Sequence, residues 1–319
     1  MNILFVTATR IGDAVLSTGL LGYLLECHSR ARLTIAAGPV AAPLFEAVPG
    51  LERLITVRKQ PFAAHWLGLY GAVAARRWDI VVDLRGSALA WLLHTSERRV
   101  MAKGDKREHR VRQLARLFAL DPPPSPRLWL SPTHEAAAEA LIPSGLPVLA
   151  VGPAANWRGK QWRAERFAEL ARRLTAVDGP LPGARVAVLA AAHERAQAEA
   201  LLTAIPTCRI IDLIGRTDLL TAAAVLRRSA LFIGNDTGLM HIAAASGAPT
   251  LGLFGPSPLD QYAPWGDCTA TVRTEAEPET MFGEGFDHRT TDTLMDSLSV
   301  DAAEAAARAL WSRAASKAA

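Results

Sequence analysis

The residues of this sequence best placed to do chemistry are Asp236-Thr237-Gly238-Leu239-Met240-His241, which follow the short apolar run Leu231, Phe232 and Ile233. Such a run ending at Gly234 reads as a buried parallel strand meeting a turn. Asp236 is a residue type that caps helices, and the helix it would open extends to Ser246, where Gly247 and Pro249 stop it. The backbone N–H groups of Thr237, Gly238 and Leu239 would then point outward with the positive end of the helix dipole, and Gly238 leaves room for close approach. That arrangement is an anion pocket, with phosphate as its natural ligand. Thr237 and His241 are four apart, so a hydroxyl and an imidazole share one helical face. An ordinary capped helix with a half-buried histidine accounts for the same residues without any ligand.

Two more positions carry comparable weight. Asp13 stands in Thr9-Arg10-Ile11-Gly12-Asp13, a turn between a first strand and a first helix. As a carboxylate at a helix start it reads as a cap. Gly12 has no companion glycines at G-x-G-x-x-G spacing, so a dinucleotide cofactor has little support. Lys160 lies in a second loop, Gly-Pro-Ala-Ala-Asn-Trp-Arg-Gly-Lys-Gln-Trp, that follows a strand at 148–151. A cation in such a loop either faces solvent or meets an anion. A third feature is the basic run Arg98, Arg99, Lys103, Lys106, Arg107, Arg110, Arg112 and Arg116, with only Glu97, Asp105 and Glu108 to neutralise it. It reads as a solvated helix face or as a docking surface for a phosphorylated or carboxylated partner.

These residues need a frame to hold them. Strands are expected over 3–7, 33–37, 54–57 and 80–83, separated by a helix after Asp13 and by helical stretches at 43–48 and 65–76. The last of these strands ends in Asp83-Leu84-Arg85-Gly86, another loop at the same sheet edge. The Pro-rich stretch 121–126 breaks regular structure, a short helix is expected over 134–141, and Pro147 restarts a strand. The second half repeats the alternation: helix 164–174, strand 186–190, helix 193–204, strand 209–212, helix 219–228, strand 231–233, the Asp236 helix and strand 250–254. Val300, Ala303, Ala307 and Leu310 lie near helical spacing, so the chain closes in a helix that needs a surface to pack on. Strand–helix alternation of this kind makes parallel sheets. The expected architecture is two α/β domains facing one another across a central cleft, with boundaries at 1–146 and 147–292 and a C-terminal helix at 293–319.

Composition agrees with that frame. With 319 residues, half of them hydrophobic, the chain can build two domains with real cores. A net charge of +4 suggests mild preference for acidic partners and argues against a dedicated nucleic-acid binder. Cys27, Cys208 and Cys268 are far apart and lack metal-type spacing, consistent with reduced thiols in the cytoplasm. The opening residues MNILFVTATR are too short an apolar run for a signal peptide, and no segment approaches a membrane span. Contact with the surface of the inner membrane stays open to such a protein.

Taken together, Ile11-Gly12-Asp13, Asp83-Leu84-Arg85-Gly86, Lys160-x-Trp162, Asp236-Thr237-Gly238-Leu239-Met240-His241 followed by Phe254-Gly255-Pro256, and the segment Met295-Asp296-Ser297-Leu298-Ser299 resemble glycosyltransferase family 9, the ADP-heptose:lipopolysaccharide heptosyltransferases and their relatives. The match runs through essentially the whole chain in order, and Asp-Thr-Gly-Leu-x-His is its specific element. The resemblance implies a GT-B fold of two Rossmann-like domains, the first binding the acceptor and the second the nucleotide sugar. It implies that Asp13 is the general base of an inverting transfer of a heptose or related sugar, and that Lys160, Asp236, Thr237, Gly238 and His241 bind the nucleoside diphosphate donor, ADP-heptose in the family. Glu194 would lie near the donor ribose, with Thr217 and Asn156 lining the nucleotide pocket. Glu194 is equally well explained as a first-turn charge that complements its helix dipole.

The acceptor implied is an anionic glycolipid, a lipid A core; Arg107 and Arg110 of the basic run would dock it, and Arg10 would grip an acid of the acceptor or a donor phosphate. No nucleic acid and no obligate protein partner are implied. No cofactor is expected, and Mg²⁺ is not required, because Asp13, Asp83 and Asp236 are not a close carboxylate pair and cationic side chains can carry a diphosphate. Gly19 stands where many family members have proline, and Arg10 where small hydroxyl residues are common, which bears on the sugar handled. A nucleotide-sugar epimerase or hydrolase, or a non-catalytic nucleotide-sugar-binding module, would use the same donor pocket without an acceptor.

Overall fold

The apolar runs that read as strands form two separate parallel sheets in the computed structural model, which describes residues 1–102, 107–276, 280–282 and 286–318. The chain divides into a unit Met1–Ser131 and a unit Pro132–Ala319, each an α/β domain around its own sheet. In the first unit β1 (Asn2–Val6), β2 (Arg32–Ala37), β3 (Leu51–Thr56), β4 (Trp78–Asp83) and β5 (Thr95–Val100) lie in the order β3-β2-β1-β4-β5. Every pairing is parallel. In the second unit β6 (Val148–Gly152), β7 (Arg185–Val188), β8 (Ile210–Asp212), β9 (Leu231–Asn235), β10 (Thr250–Phe254) and β11 (Thr269–Arg273) lie in the order β11-β10-β9-β6-β7-β8. These pairings are parallel as well.

Each order reverses once. In the first sheet the reversal falls between β1 and β4, and in the second between β6 and β9. Crossovers diverge to opposite faces at such a point, which leaves a crevice beyond the carboxyl ends of the two strands. The loops at these two points carry Asp13 and Asp83 in one unit and Lys160 and Asp236 in the other.

The central strands are buried on both faces, which is why they read as unbroken apolar runs. Leu149, Val151, Val186, Val188, Leu231 and Ile233 are all at most 2% exposed and share one cluster with Phe167, Leu170 and Leu174 of the helix Ala164–Leu174. Ala303, Ala307 and Leu310 of the final helix, Val300–Ala318, pack into that same cluster. The final helix is thus part of the second unit and not a separate segment. The boundary between units lies at Ser131/Pro132, ahead of the expected Pro147, because the helix Pro132–Leu141 joins the second unit: Glu135 pairs with Arg227 of the helix Leu219–Arg227.

Several elements differ from the sequence expectation. Neither β5 nor β11 was expected; both are edge strands whose half-buried residues, TSERRV and TATVR, carry no apolar run. The stretch at 43–48 is a single 3-10 turn, Ala42–Phe45, and the helix from His65 stops at Val73. The stretch at 193–204 starts as a 3-10 helix, Ala192–Ala198, before an α-helix, Glu199–Ala204.

Gly19 has a clear packing reason. It is buried in the helix Ile11–Cys27, and a Cβ there would run into the carbonyl oxygen of Pro124 in the Pro-rich stretch. The same stretch is anchored one turn further along, where the Thr18 hydroxyl accepts the Arg127 N–H at 3.0 Å and Arg127 pairs with Glu26 at 2.8 Å. Gly19→Ala is expected to destabilise the first unit by about 1–3 kcal/mol, the cost of overpacking against backbone that cannot yield. Urea unfolding followed by tryptophan fluorescence measures it, and an unchanged midpoint would show that the stretch moves aside freely.

Candidate functional site

The centre of the second unit's switch point is an ion pair. Lys160 Nζ lies 2.6 Å from Asp236 Oδ2, with the lysine side chain 27% exposed and the aspartate 8%. Asp236 follows β9 directly, and its N–H is bonded to the Leu253 carbonyl of β10 at 3.2 Å. The expected capping role of Asp236 is therefore corrected: Thr237 is the cap residue, with extended backbone, and the helix is Gly238–Ala245. Asp236 spends its carboxylate on Lys160 instead. The amides at the start of that helix lack partners within it, as at any helix N-terminus, and they sit one residue away from the ion pair. His241 is on the same helix and only 4% exposed.

The loop that presents Lys160 is held on all sides. The Asn235 side chain, fully buried, donates to the Pro153 carbonyl at 2.7 Å and accepts from the Trp162 N–H at 3.1 Å. Gln197 accepts the Ala155 N–H at 3.0 Å, and Gln161 donates to the Ala155 carbonyl at 2.8 Å. From the other side the stretch 292–298 is stitched along the loop. Leu294 N–H donates to the Gly159 carbonyl, the Thr293 hydroxyl to the Gln161 carbonyl, and the Trp162 indole to the Leu298 carbonyl. Arg158 pairs with Asp292 at 2.8 Å, and Arg163 grips Asp296 with two contacts of 2.6 Å. Hydrogen bonding to the Arg158 guanidinium and to the Thr293 N–H pulls the Asp292 carboxyl down to about 2. Arg163 lowers Asp296 likewise.

None of these holding residues, Asn235, Gln197, Arg163 or Asp292, was singled out in the sequence. Asn235 alone had a local signal, as a polar residue between a strand and the Asp236 motif. The others act across sequence separations that no local pattern records.

Glu194 and Thr217 lie on neighbouring loops at the ends of β7 and β8. Gly215, at φ +68°, donates its N–H to the Ala190 carbonyl, and a Cβ on it would strike Ala192. Glu194 reaches back to accept the Ala191 N–H at 2.9 Å, so it does close its own 3-10 turn. Thr217 is half-buried and Asn156 exposed on the loop after β6. The structure thus places Asn156, Lys160, Glu194, Thr217, Asp236, Thr237, Gly238 and His241 on loops or first turns after β6, β7, β8 and β9, along one sheet edge.

In the first unit Asp13 is half-buried in the first turn of the helix Ile11–Cys27, and exposed Arg10 occupies the cap position. Asp13 is therefore not the cap. It sits where the helix dipole favours a carboxylate. Asp83 is fully buried and accepts the N–H groups of Arg85 and Ser87, each at 2.8 Å, and the Ser87 hydroxyl at 2.5 Å. It shapes its loop.

The basic run is not one helix face. Arg98 and Arg99 are on β5, Arg110 and Arg112 on the helix Arg110–Ala115, and Lys103, Asp105 and Lys106 lie outside the described residues. Arg98 donates to the carbonyls of Ala90 and Leu93, Arg99 pairs with Glu97, and Arg116 with Glu108. Arg110 bonds to Gln113 at 3.1 Å, and Arg107 is exposed. Among the described residues no group of three or more His, Cys, Asp or Glu could hold a metal ion, and no helix is long and apolar enough to cross a membrane.

Comparison with known proteins fits this geometry. The family model for glycosyltransferase family 9 (heptosyltransferase) matches residues 84–285. The chain is 24% identical over 314 residues to lipooligosaccharide heptosyltransferase 2 of Haemophilus influenzae, covering 86% of this chain and 88% of that protein. Its fold is similar to that of a family 9 glycosyltransferase from Veillonella parvula, with a TM-score of 0.78 at 18% identity, covering 98% of this chain and 97% of the other. It is also similar to ADP-heptose lps heptosyltransferase II of E. coli, with a TM-score of 0.75 at 21% identity, covering 98% and 99%. These likenesses establish the α/β GT-B fold.

Two outcomes are expected from the site itself. Lys160→Met leaves the Asp236 carboxylate buried without its cation and should cost about 2 kcal/mol, below the full penalty for a buried pair because the lysine is partly exposed. Adding Asp236→Asn should recover part of that loss, and additive losses in the double variant would show the pair is not coupled. Asp292 has a folded pKa of about 2 against an ordinary 3.8. Its contribution to stability is present above pH 4 and lost as pH falls toward 2. The gap in thermal midpoint between the wild type and Asp292→Asn is therefore expected to be open at neutral pH and to narrow steadily below pH 4. A gap independent of pH would contradict the pairing.

Proposed function

Because the chain belongs to glycosyltransferase family 9, we propose that this enzyme moves a heptose from a nucleoside diphosphate donor, ADP-heptose, to the core sugars of an anionic glycolipid. The observation that carries the donor side is the Lys160–Asp236 pair beside the first turn of the helix Gly238–Ala245. An ammonium group has three N–H donors, and Asp236 takes one of them, which aims the remainder. The helix amides add donors that need no side-chain ordering. Together they suit a diphosphate, whose leaving oxygens gain charge as the glycosidic bond breaks. Support for the sugar and base comes from the E. coli relative, whose name specifies ADP-heptose, and support for the acceptor from the lipooligosaccharide enzyme of H. influenzae.

In this reading Asp13 removes the proton from an acceptor hydroxyl while that oxygen attacks the anomeric carbon. The bond from the anomeric carbon to the β-phosphate oxygen breaks on the opposite face, and ADP departs with inversion at the sugar. Asp13 has the position a general base needs: it is half-buried in the first turn of a helix, on the loop side of the sheet's switch point. Glu194, Thr217 and Asn156 are assigned to the nucleoside, where a carboxylate next to an exposed loop can accept from ribose hydroxyls. Arg10, Arg107 and Arg110 are assigned to the phosphates or carboxylates of the acceptor. Charge at the donor diphosphate is carried by side chains and backbone amides, with no metal or other cofactor assigned.

The decisive measurement is release of ADP from ADP-heptose with and without a lipid A core acceptor, with a UDP-sugar in parallel. Acceptor-dependent ADP release is expected, and release without acceptor would indicate hydrolysis. Asp13→Ala should lower turnover by about 10³-fold while ADP affinity, read by calorimetry, stays within about twofold. Loss of ADP affinity in that variant would place Asp13 on the donor and overturn its assignment.

A further inference from the structure

The first unit exposes apolar side chains that its own fold does not use. Phe62 is fully exposed, Leu67 76%, Trp91 66% and Leu92 64%. They belong to two short helical segments, His65–Val73 with the turn before it and Leu89–Leu92. Leu69 and Val73 of the first segment and Leu89 and Ala90 of the second are buried in one cluster with Leu4, Val6 and Val81. Both segments therefore cover the same face of the sheet, as right-handed crossovers from β3 to β4 and from β4 to β5 require. Their outward residues form the skin of that face. Arg85 ties the two together, since it follows β4 and its guanidinium lies 5.3 Å from the Trp66 ring centre.

Phe62 is held out by the backbone. Phe62 and Ala63 have φ of +52° and +57°, a conformation disfavoured for residues with side chains and especially for bulky ones. The pair lifts the phenyl ring clear of the helix His65–Val73 at a loop tip. The surrounding charge is of one sign. Arg58 and Lys59 immediately precede the tip, and no carboxylate occurs between Glu52 and Asp79. Arg98 stands over the Trp91 ring at 5.1 Å and gives its N–H groups to backbone carbonyls, so it is not neutralised by a carboxylate there.

We propose that this face is a docking surface for an anionic lipid bilayer, with Phe62 and Leu67 entering the acyl boundary while Arg58, Lys59 and Arg85 meet the headgroups. A projecting aromatic with flanking cations is the chemistry of an interfacial anchor. Aromatic rings and long basic side chains sit comfortably at such a boundary because one end is apolar and the other polar. A second copy of the chain fits less well, because a two-fold interface built on this patch would bring Arg58 and Lys59 of both copies together. The surface also continues to the carboxyl edge of the sheet, since Arg58–Phe62 follow β3 and Arg85 follows β4. That is the edge that carries Asp13, so a lipid-borne acceptor would be met at the bilayer surface.

The inference deepens the acceptor reading but does not depend on transfer, and its test uses neither nucleotide nor sugar. The full-length protein is mixed with vesicles of phosphatidylcholine alone or with about one-third phosphatidylglycerol added, then sedimented. Binding to the anionic vesicles and little to the neutral ones is expected. Phe62→Ser with Leu67→Ser should weaken partitioning by roughly 30-fold or more. Arg58→Gln with Lys59→Gln, which touches no apolar contact and so guards against a folding defect, should weaken it roughly 30-fold and remove the salt dependence. Wild-type protein left in the supernatant, or variants that bind as well as wild type, would overturn the proposal. So would a dimer in light scattering that the Phe62 and Leu67 changes dissolve while vesicle binding is absent. A failure of transfer with vesicle binding intact would count against the assigned reaction and not against this surface.

Discussion

The partly buried pair of Lys160 and Asp236 is the constraint around which the second domain's ligand edge is arranged. A carboxylate at 8% exposure is stable only if its charge is answered close by, and Lys160 answers it at 2.6 Å from a loop that starts at a different strand. Holding an ammonium group to that position takes rigidity in a loop of small and polar residues. The side chain of Asn235, the pair Gln161 and Gln197, and the stretch 292–298 supply it. The arginines at 158, 163 and 166 belong to this support, each bonded to the stretch 292–298. What reads in sequence as a dense scatter of charge is a set of clamps.

Topology explains why this happens at that edge. In each sheet the order of strands reverses once, and Asp13, Asp83, Lys160 and Asp236 fall at the loops flanking the reversal. The two domains solve the problem differently. In the second, the switch point joins a cation to a helix start, which favours an anion. In the first, it carries a carboxylate in the first turn of a helix, Asp13, beside the loop organised by Asp83. Asp83 shows how misleading residue type can be, since a fully buried aspartate that accepts two backbone N–H groups and a hydroxyl is an architectural group.

The first domain leaves Phe62, Leu67, Trp91 and Leu92 in water and places Phe62 in a disfavoured backbone region. The fold can tolerate this because the inner faces of the same segments are well buried with Leu4, Val6 and Val81. The basic residues of the run at 98–116 are likewise spread over a strand and a helix and do not form one helical face.

By itself the sequence determined the fold class, the alternation of strands and helices, and the motifs that mark the family. Those follow from local rules: buried parallel strands are continuous apolar runs, and helix starts have characteristic residues. The helix Ala164–Leu174 and the strand Thr250–Phe254 were legible to the residue because both bury a full face. Edge strands such as Thr95–Val100 were not, since half-exposed residues carry no apolar signature. Tertiary structure alone decided that Asp236 pairs with Lys160 and leaves the cap to Thr237, that Asp13 follows an arginine cap, and that the helix Pro132–Leu141 belongs to the second domain. The pairings of Asp236 with Lys160 and of Glu135 with Arg227 turn on partners dozens of positions away, and a charge chooses its partner by distance in space, which no local spacing encodes.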